Sequence, residues 1–335
     1  MKRAPITVSV GGGKGGVGKS IVSTNLACAL AAAGVRTVLV DGDLGAPNLH
    51  TLLGVTHAGP TLHALLERRI ERIEEALVAT SVPRLSLVAG AGGVPGHANP
   101  SHQEKQKLLR QIASLDADVV VIDVGAGTAY NALDLFAAGQ IRIVVATPEL
   151  TSLQNAYVFT KAVALREIAA LAKSEGKLEA WARAFDHGET SRMSRWLRRL
   201  EAEELALATR IRGYLGAPGT LLVGNRVGAP SERHALFALS RMAREFLELE
   251  LPVVATLPNA RSVIDSVQRR RPVVVGPDAD PTLVRAFAQL AEHVVASERR
   301  RRDPGPVETV GAPDADDAAG DEGFEVELGA RSRRE

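Results

Sequence analysis

A glycine-rich run near the start of the chain restricts the fold more than any other feature of the sequence. Residues 6–10 form a β-branched, apolar run that predicts a strand, and an Ala- and Leu-rich stretch after residue 18 predicts a helix. Between them, residues 13–20 fit the pattern G-x-x-x-x-G-K-[ST] in its strand–loop–helix setting. Glycines let backbone N–H groups approach phosphate oxygens, and a helix N-terminus attracts the same anion. The sequence therefore predicts a site for the phosphates of a nucleotide.

The loop itself supplies the predicted contacts to the nucleotide. We expect Lys19 to reach the β- and γ-phosphates and the Ser20 hydroxyl to ligate Mg²⁺. The predicted nucleotide-binding residues of the loop are Gly13, Lys14, Gly15, Gly16, Val17, Gly18, Lys19, Ser20 and Ile21.

Short apolar runs alternate with helical stretches along most of the chain. Strands are predicted over 6–10, 37–41, 85–89, 119–123, 141–147, 220–225, 252–257 and 273–275. Helices are predicted near 19–33, 60–79, 102–114, 130–138, 151–172, 231–248 and 282–300. Most of the strand runs are apolar on both faces, which is typical of a parallel sheet covered by helices. The pattern predicts an α/β fold with a doubly wound, mostly parallel β-sheet and helices on both faces.

Composition sets the domain organisation and excludes several classes of protein. Cys28 is the only cysteine, which excludes a disulfide framework and a cysteine-based metal site within one chain. No apolar run reaches the length of a membrane span. Residues 303–335 hold ten acidic residues and three arginines, a net charge of −7 in a chain whose total is +1. We predict one domain over 1–302, with a helical insertion at about 173–219, and a disordered acidic tail over 303–335.

Lys14, a second lysine within the loop, distinguishes this loop from most other phosphate-binding loops. Residues 14–20 resemble the deviant Walker A motif of the MinD/ParA family of P-loop ATPases. The resemblance implies that the chain forms an ATP-dependent homodimer. It also implies that Lys14 reaches across that dimer to the phosphates bound by the partner.

Three further segments extend the resemblance. Residues 38–49 are similar to the family's switch I, which implies that Asp41 helps to hold Mg²⁺ through water and that Asp43 orients the attacking water. Residues 119–123 are an apolar run that resembles a Walker B strand, which gives Asp123 a role near Mg²⁺, and residues 124–128 follow it as a switch II loop. Residues 147–157 resemble a Thr-Pro-Glu segment of the family, with Leu150 in place of a proline.

The resemblance covers residues 5–172 and 220–295 and is strongest in the first half of the chain. Asn225 occupies the position that usually hydrogen-bonds adenine, with a simple turn-forming role as the alternative. The sequences of the switch II and Thr-Pro-Glu segments are most similar to those of the FlhG/FleN branch, the flagellar-number ATPases, and next most similar to those of MinD.

The resemblance implies a cytoplasmic Mg·ATP-dependent ATPase that dimerises and acts as a spatial or assembly switch, for flagellar number and placement or for a division site. Lys14, Lys19 and Asp43 are then catalytic, and Ser20, Asp41 and Asp123 hold the metal. We expect a protein partner, and weak or indirect membrane binding through that partner, because acidic residues next to apolar ones oppose docking on an anionic leaflet.

Two alternatives stay open at this point. A DNA-segregation ATPase of the ParA type would use basic residues, and the arginine runs 269–271 and 299–302 are the candidates. Nucleic-acid binding is therefore possible but not favoured. A metabolic ATP-dependent ligase with the same loop would need a substrate pocket, and the sequence does not identify one.

Overall fold

Strands form at short, mostly apolar runs of three to six residues. The computed structural model describes residues 4–56, 59–90, 100–185, 192–217 and 219–302; the predicted tail over 303–335 lies outside them. The strands in this part of the chain are β1 Ile6–Gly11, β2 Thr37–Gly42, β3 Leu77–Ala79, β4 Leu85–Val88, β5 Val119–Val124, β6 Ile141–Ala146, β7 Thr220–Gly224 and β8 Val253–Thr256.

These strands form a sheet in the order β3-β4-β2-β5-β1-β6-β7-β8. β3 pairs antiparallel with β4, and every other pairing is parallel. Every residue of β1, β2, β5, β6 and β7 is buried, as expected for a parallel sheet covered on both faces. The predicted doubly wound α/β fold is confirmed.

Helices pack on both faces of the sheet. They are α1 Lys19–Ala32, α2 Leu49–Leu52, α3 Leu62–Leu66, α4 His102–Ala113, α5 Tyr130–Ala137, α6 Leu150–Ser174, α7 Leu178–Ala184, α8 Met193–Glu203, α9 Leu205–Gly216, α10 Pro230–Leu247, α11 Arg261–Gln268 and α12 Pro281–Arg302. One apolar core joins α1 and α12 to the sheet, and a second joins the other face to α3, α4, α5, α6 and α10.

Two of the sequence predictions are wrong. The helix predicted over 60–79 is replaced by α3, a short 3-10 helix at Ile73–Ala76 and the edge strand β3. The strand predicted over 273–275 is a turn, where the backbone N–H of Val274 donates to Asn25 Oδ1 of α1 at 3.3 Å. This valine run lies against a helix instead of joining the sheet edge.

The stretch from 173 to 219 contains α7, α8 and α9, which pack against the second half of α6 in a third apolar core. Glu204 lies between α8 and α9, where the apolar periodicity of the sequence breaks. A partly buried polar cluster joins this helical core to the sheet: Arg142 of β6 and Tyr214 of α9 both hydrogen-bond the Glu167 carboxylate of α6.

Candidate nucleotide site

The glycine-rich loop between β1 and α1 lies at the carboxyl edge of the sheet, where it is packed on one side and open on the other. A Cβ atom on Gly13 would lie 2.0 Å from the Asn155 carbonyl oxygen of α6, so only glycine allows this approach. Gly18 has φ 95°, a left-handed conformation that also favours glycine. A Cβ on Gly15 or Gly16 would meet nothing within 4 Å. The loop therefore presents its open side at Gly15 and Gly16.

Lys19 begins α1 and is only 8% exposed. Its Nζ donates to the Lys14 carbonyl oxygen at 3.3 Å. Burial lowers the pKa of Lys19, while the negative charges of Asp123 and Asp43 raise it. The Lys19 ammonium is therefore buried near two carboxylates at the start of α1, where it can also bind a phosphate group.

Asp123 ends the Walker B-like strand and is 1% exposed. Ser23 Oγ donates to Asp123 Oδ1 at 2.7 Å, and Ser20 also hydrogen-bonds this carboxylate. Burial raises the pKa of Asp123 to about 6, against the opposing effect of these hydroxyl groups and of Lys19. Its carboxylate thus faces the start of α1.

Asp41 pairs with Asp123 across β2 and β5, so the two carboxylates end neighbouring strands. Asp41 is fully buried and accepts backbone N–H groups from Asp43 at 3.3 Å, Asn48 at 3.0 Å and Leu49 at 3.1 Å. Burial raises the pKa of Asp41 to about 7, and Asp123 raises it further, while the N–H donors lower it. These donors hold the 41–49 segment around the carboxylate.

Asp43 is half-buried and lies between two loops. Its Oδ1 accepts the backbone N–H groups of Gly45 at 3.2 Å and Ala46 at 3.0 Å. A Cβ on Gly125 would lie 3.2 Å from the same oxygen, so the switch II loop passes directly beside this carboxylate. The N–H of Gly127 in that loop donates to the Gly12 carbonyl at 3.3 Å. The two switch segments and the glycine-rich loop therefore meet at Asp43.

Lys14 lies on the outer side of the loop. Its Nζ donates to Thr151 Oγ1 at 2.9 Å, at the start of α6. Leu150 is 69% exposed beside it, and Tyr130 at the start of α5 is 71% exposed. The outer face of this edge thus combines a lysine with exposed apolar side chains.

A cleft of about 610 Å³ opens next to the loop. Asn225 directly follows β7 and lines this cleft, and its Nδ2 donates to the Val17 carbonyl at 2.8 Å, which connects the strand end to the loop. The lining includes Gly18, Ile21, Pro148, Asn225, Pro258 and Val263. Its size and its mixed apolar and polar lining suit a nucleobase, next to a loop that suits the phosphates.

The oxygen donors at the edge match a hard divalent cation. Ser20, Asp41 and Asp123 offer a hydroxyl and two carboxylates, the ligand type that Mg²⁺ takes together with water and phosphate oxygens. The described residues contain no cluster of three or more His, Cys, Asp or Glu that could hold a metal alone. This donor set fits Mg²⁺ that arrives with a nucleotide.

The structure brings every predicted site residue to this edge of the sheet, including Asn225 from the second half of the chain. Sequence reasoning missed Ser23 and the role of Thr151 as the acceptor for Lys14. A serine one helical turn after Lys19 was the available signal for Ser23. For Thr151, the only signal in the sequence was its position in the Thr-Pro-Glu segment.

Comparison with known proteins decides the family. Residues 4–171 match the family model described as "ParA: NUBPL iron-transfer P-loop NTPase". The antiactivator FleN of Pseudomonas aeruginosa is 30% identical over 292 residues, which cover 86% of this chain and 84% of FleN. This chain belongs to the ParA/MinD family of P-loop NTPases.

Other members of the family are similar over less of their sequence or in fold alone. A putative septum site-determining protein MinD of Guillardia theta is 35% identical over 152 residues, 44% of this chain and 55% of that protein. The match thus spans about half the length of that relative. The MinD of Pyrococcus horikoshii, solved with Mg-ADP, superposes with a TM-score of 0.59 at 21% identity, over 87% of this chain and 96% of that one. This ParA/MinD member therefore shares the fold of MinD.

Two observations bear on the other classes of protein. Cys28 is buried, and burial raises the pKa of its thiol to about 12, so this ParA/MinD member offers no accessible thiolate to an iron–sulfur cargo. None of the helices in the described ranges combines the length and the apolar character that a membrane span requires.

Proposed function

We propose that this chain is a Mg·ATP-dependent ATPase that dimerises on ATP and acts as a spatial or assembly switch. The observation that carries the proposal is the meeting of the open glycine-rich loop with Lys19, Asp43 and Asp123 at one edge of the sheet. The reaction is phosphoryl transfer from ATP to water. A protein accelerates this reaction mainly by positioning the reactants and by stabilising the charge on the phosphate oxygens.

Each group at the edge has a role in that reaction. The loop N–H groups and Lys19 bind the phosphates, and Asn225 with the neighbouring cleft binds the base. Ser20, Asp41 and Asp123 would hold Mg²⁺, which when bound neutralises charge on the phosphate oxygens. Asp43 orients the attacking water from its place between the two switch segments.

A homodimer is supported by the outer face of the site. Lys14 is exposed there, and Leu150, which precedes its partner Thr151 in the chain, leaves most of its surface uncovered. A second copy of the chain that covers these side chains would bring its own Lys14 toward the bound phosphates.

Similarity indicates what the switch regulates. In sequence, FleN matches over most of both chains, whereas the MinD of Guillardia theta matches over about half of each. We therefore favour a regulator of flagellar number or placement over a division-site regulator, with a protein partner that activates it or is positioned by it.

The DNA-segregation alternative gains little from the arginine run at 269–271. Arg269 pairs with Asp278 at 3.1 Å, and the side chains of the second run, 299–302, lie outside the described residues. The metabolic-ligase alternative still lacks an identified substrate pocket beside the site.

The packing of α12 supports weak or indirect membrane binding. Its apolar stripe of Leu283, Phe287, Leu290 and Val294 is at most 1% exposed, so this stripe packs on the sheet and is not available to lipid. We expect a cytoplasmic protein that reaches the inner membrane through a partner. The purified protein should sediment little with anionic liposomes, with or without ATP.

Three variants test the proposal, measured by size-exclusion chromatography with light scattering and by phosphate release. Lys19→Ala should lose ATP binding and remain monomeric. Asp43→Ala should bind ATP and dimerise, with turnover lower by about 10²-fold or more, the scale of losing a positioning group for water. Lys14→Ala should bind ATP but form less dimer and hydrolyse more slowly.

The parent protein without nucleotide is the control for the dimer signal. An Asp43→Ala variant that binds ATP yet stays monomeric would contradict the role given to Asp43. A Lys14→Ala variant that dimerises and hydrolyses like the parent would contradict the role given to Lys14.

A further inference from the structure

Ser23 lies one helical turn after Lys19 in α1 and contacts Asp123 from within the core. Its side chain is fully buried, with Oγ 2.7 Å from Asp123 Oδ1 and 3.0 Å from the Lys19 carbonyl oxygen. A hydroxyl has one proton and donates it to one acceptor at full strength. The carboxylate is the closer and the stronger acceptor, so Ser23 donates to Asp123.

The other groups near Asp123 also serve the ligand. Ser20 hydrogen-bonds the carboxylate but is itself a predicted Mg²⁺ ligand, and Lys19 is predicted to bind phosphate. Ser23 has neither role, because it lies on the inner side of Asp123 and is closed off from the cleft. It is therefore the hydroxyl donor to Asp123 that has no predicted ligand of its own.

We propose that Ser23 is a positioning residue for the Mg²⁺ site and that it acts only through Asp123. By holding Oδ1, it would fix the orientation of the carboxylate and leave the remaining lone pairs available to Mg²⁺ when the cation is bound. The inference rests on the proposed function, because it takes Mg²⁺ to be the cation at this edge. Residues that orient the groups around a metal typically affect its affinity by 10- to 100-fold when they are changed.

The neighbouring residue Thr24 provides a matched control. It lies on the same turn of α1 and is 1% exposed, but its Oγ1 has no hydrogen-bond partner among the described residues. Thr24→Val removes a buried hydroxyl of similar size without touching Asp123. Ser23→Ala and Ser23→Cys both remove the strong donor, and the cysteine variant keeps the volume filled.

The experiment measures the affinity of the full chain for a fluorescent ATP analogue, in EDTA and over a series of Mg²⁺ concentrations. We expect both Ser23 variants to need about 10-fold more Mg²⁺ for the same gain in affinity. Their affinity in EDTA should equal that of the parent, because Lys19 and the loop are unchanged. Thr24→Val should match the parent in both conditions. Thermal unfolding by circular dichroism verifies that each variant is folded.

The two claims fail in different ways. If both Ser23 variants are folded and show the Mg²⁺ dependence of the parent, the inference on Ser23 is overturned while the proposed function stands. If their affinity falls equally with and without Mg²⁺, Ser23 supports the loop in general and the inference is again overturned. A parent protein that binds no nucleotide, or gains nothing from Mg²⁺, overturns the proposed function itself.

Discussion

The carboxyl edge of the sheet and the helical core formed by α7, α8, α9 and the second half of α6 are built on opposite principles. The edge buries ionisable groups: Lys19, Asp41 and Asp123 are all at most 8% exposed. The helical core buries apolar side chains such as Leu197 and Ile211, both fully buried, and pairs its charges on the surface, as Arg183 does with Glu203 at 3.3 Å.

The comparison shows that the helical core mainly stabilises the fold, whereas the carboxyl edge of the sheet is built to bind a ligand. Burying a charge costs free energy unless it is compensated, and the shifted pKa values of Asp41 and Asp123 reflect that cost. Burying leucine and isoleucine side chains stabilises the folded state. Changes at the edge should therefore alter binding more than stability, and changes in the helical core should do the reverse.

The largest effect on stability is expected from Leu197→Ala. Removing a fully buried leucine from the helical core leaves a cavity and should lower the free energy of unfolding by about 3 kcal/mol. Leu205→Ala, at a side chain that is 63% exposed on α9, is the matched control and should change it by less than about 0.5 kcal/mol. Denaturant unfolding measures both. A Leu197→Ala protein that binds ATP more weakly while folded would break the separation between the two regions.

A smaller effect, visible only as a pH dependence, is expected at Asp41. Its pKa is about 7 in the folded protein and near its ordinary low value in the unfolded chain. Between these values the folded state binds the extra proton, so the contribution of Asp41 to stability falls as pH rises and is fully lost above pH 7. From pH 5 to pH 8, the free energy of unfolding of Asp41→Asn should gain about 2.5 kcal/mol relative to the parent.

Denaturant unfolding of both proteins at pH 5, 6, 7 and 8 without nucleotide measures this difference. Only the slope with pH is diagnostic, because the asparagine amide also changes the hydrogen bonds from Asn48 and Leu49 by a constant amount. A difference between the two proteins that stays constant with pH would mean that Asp41 is ionised throughout.

The smallest effect is expected where the two regions meet. Tyr214 accepts from Arg142 Nη1 at 2.9 Å and donates to the Glu167 carboxylate, which joins α9 to the sheet. Tyr214→Phe should lower the free energy of unfolding by about 1 kcal/mol, the usual net value of a hydrogen bond, and leave ATP affinity unchanged. Tyr157→Phe on α6, where the hydroxyl makes no hydrogen bond within the described residues, is the control. Equal losses in the two variants would show that the polar cluster contributes nothing.

The part of the molecule that the sequence predicts well is the part specified by local chemistry. The glycine-rich loop needs its residues in a fixed order for backbone reasons, and fully buried parallel strands are apolar along most of their length, as in β5, where Asp123 is the one polar residue. The prediction of a strand over 273–275 was wrong. Three consecutive valines are compatible both with a strand and with a turn that packs on α1, and the hydrogen bond from Val274 to Asn25 holds them in the turn. Long-range contacts of this kind leave no periodic signal.

The same limit applies within the site. The loop was predicted from its own pattern, and the aspartates at 41, 43 and 123 from the resemblance of the segments around them to those of a known family. Ser23 was missed, since its partner is 100 residues away in the chain. Thr151 was missed as the acceptor for Lys14, which is 137 residues away, for the same reason.

The burial of Cys28 has a practical consequence for experiments on the switch. It is the only thiol in the chain, it is 1% exposed, and burial raises its pKa to about 12. Labelling reagents attack the thiolate, so the natural protein is nearly inert toward maleimides at neutral pH. A cysteine introduced at one exposed position therefore gives a singly labelled protein without prior removal of native thiols. A donor and an acceptor fluorophore attached in this way to separate subunits, at the exposed position of Leu205 on α9 and not at the proposed dimer face, would follow the approach of two subunits in real time.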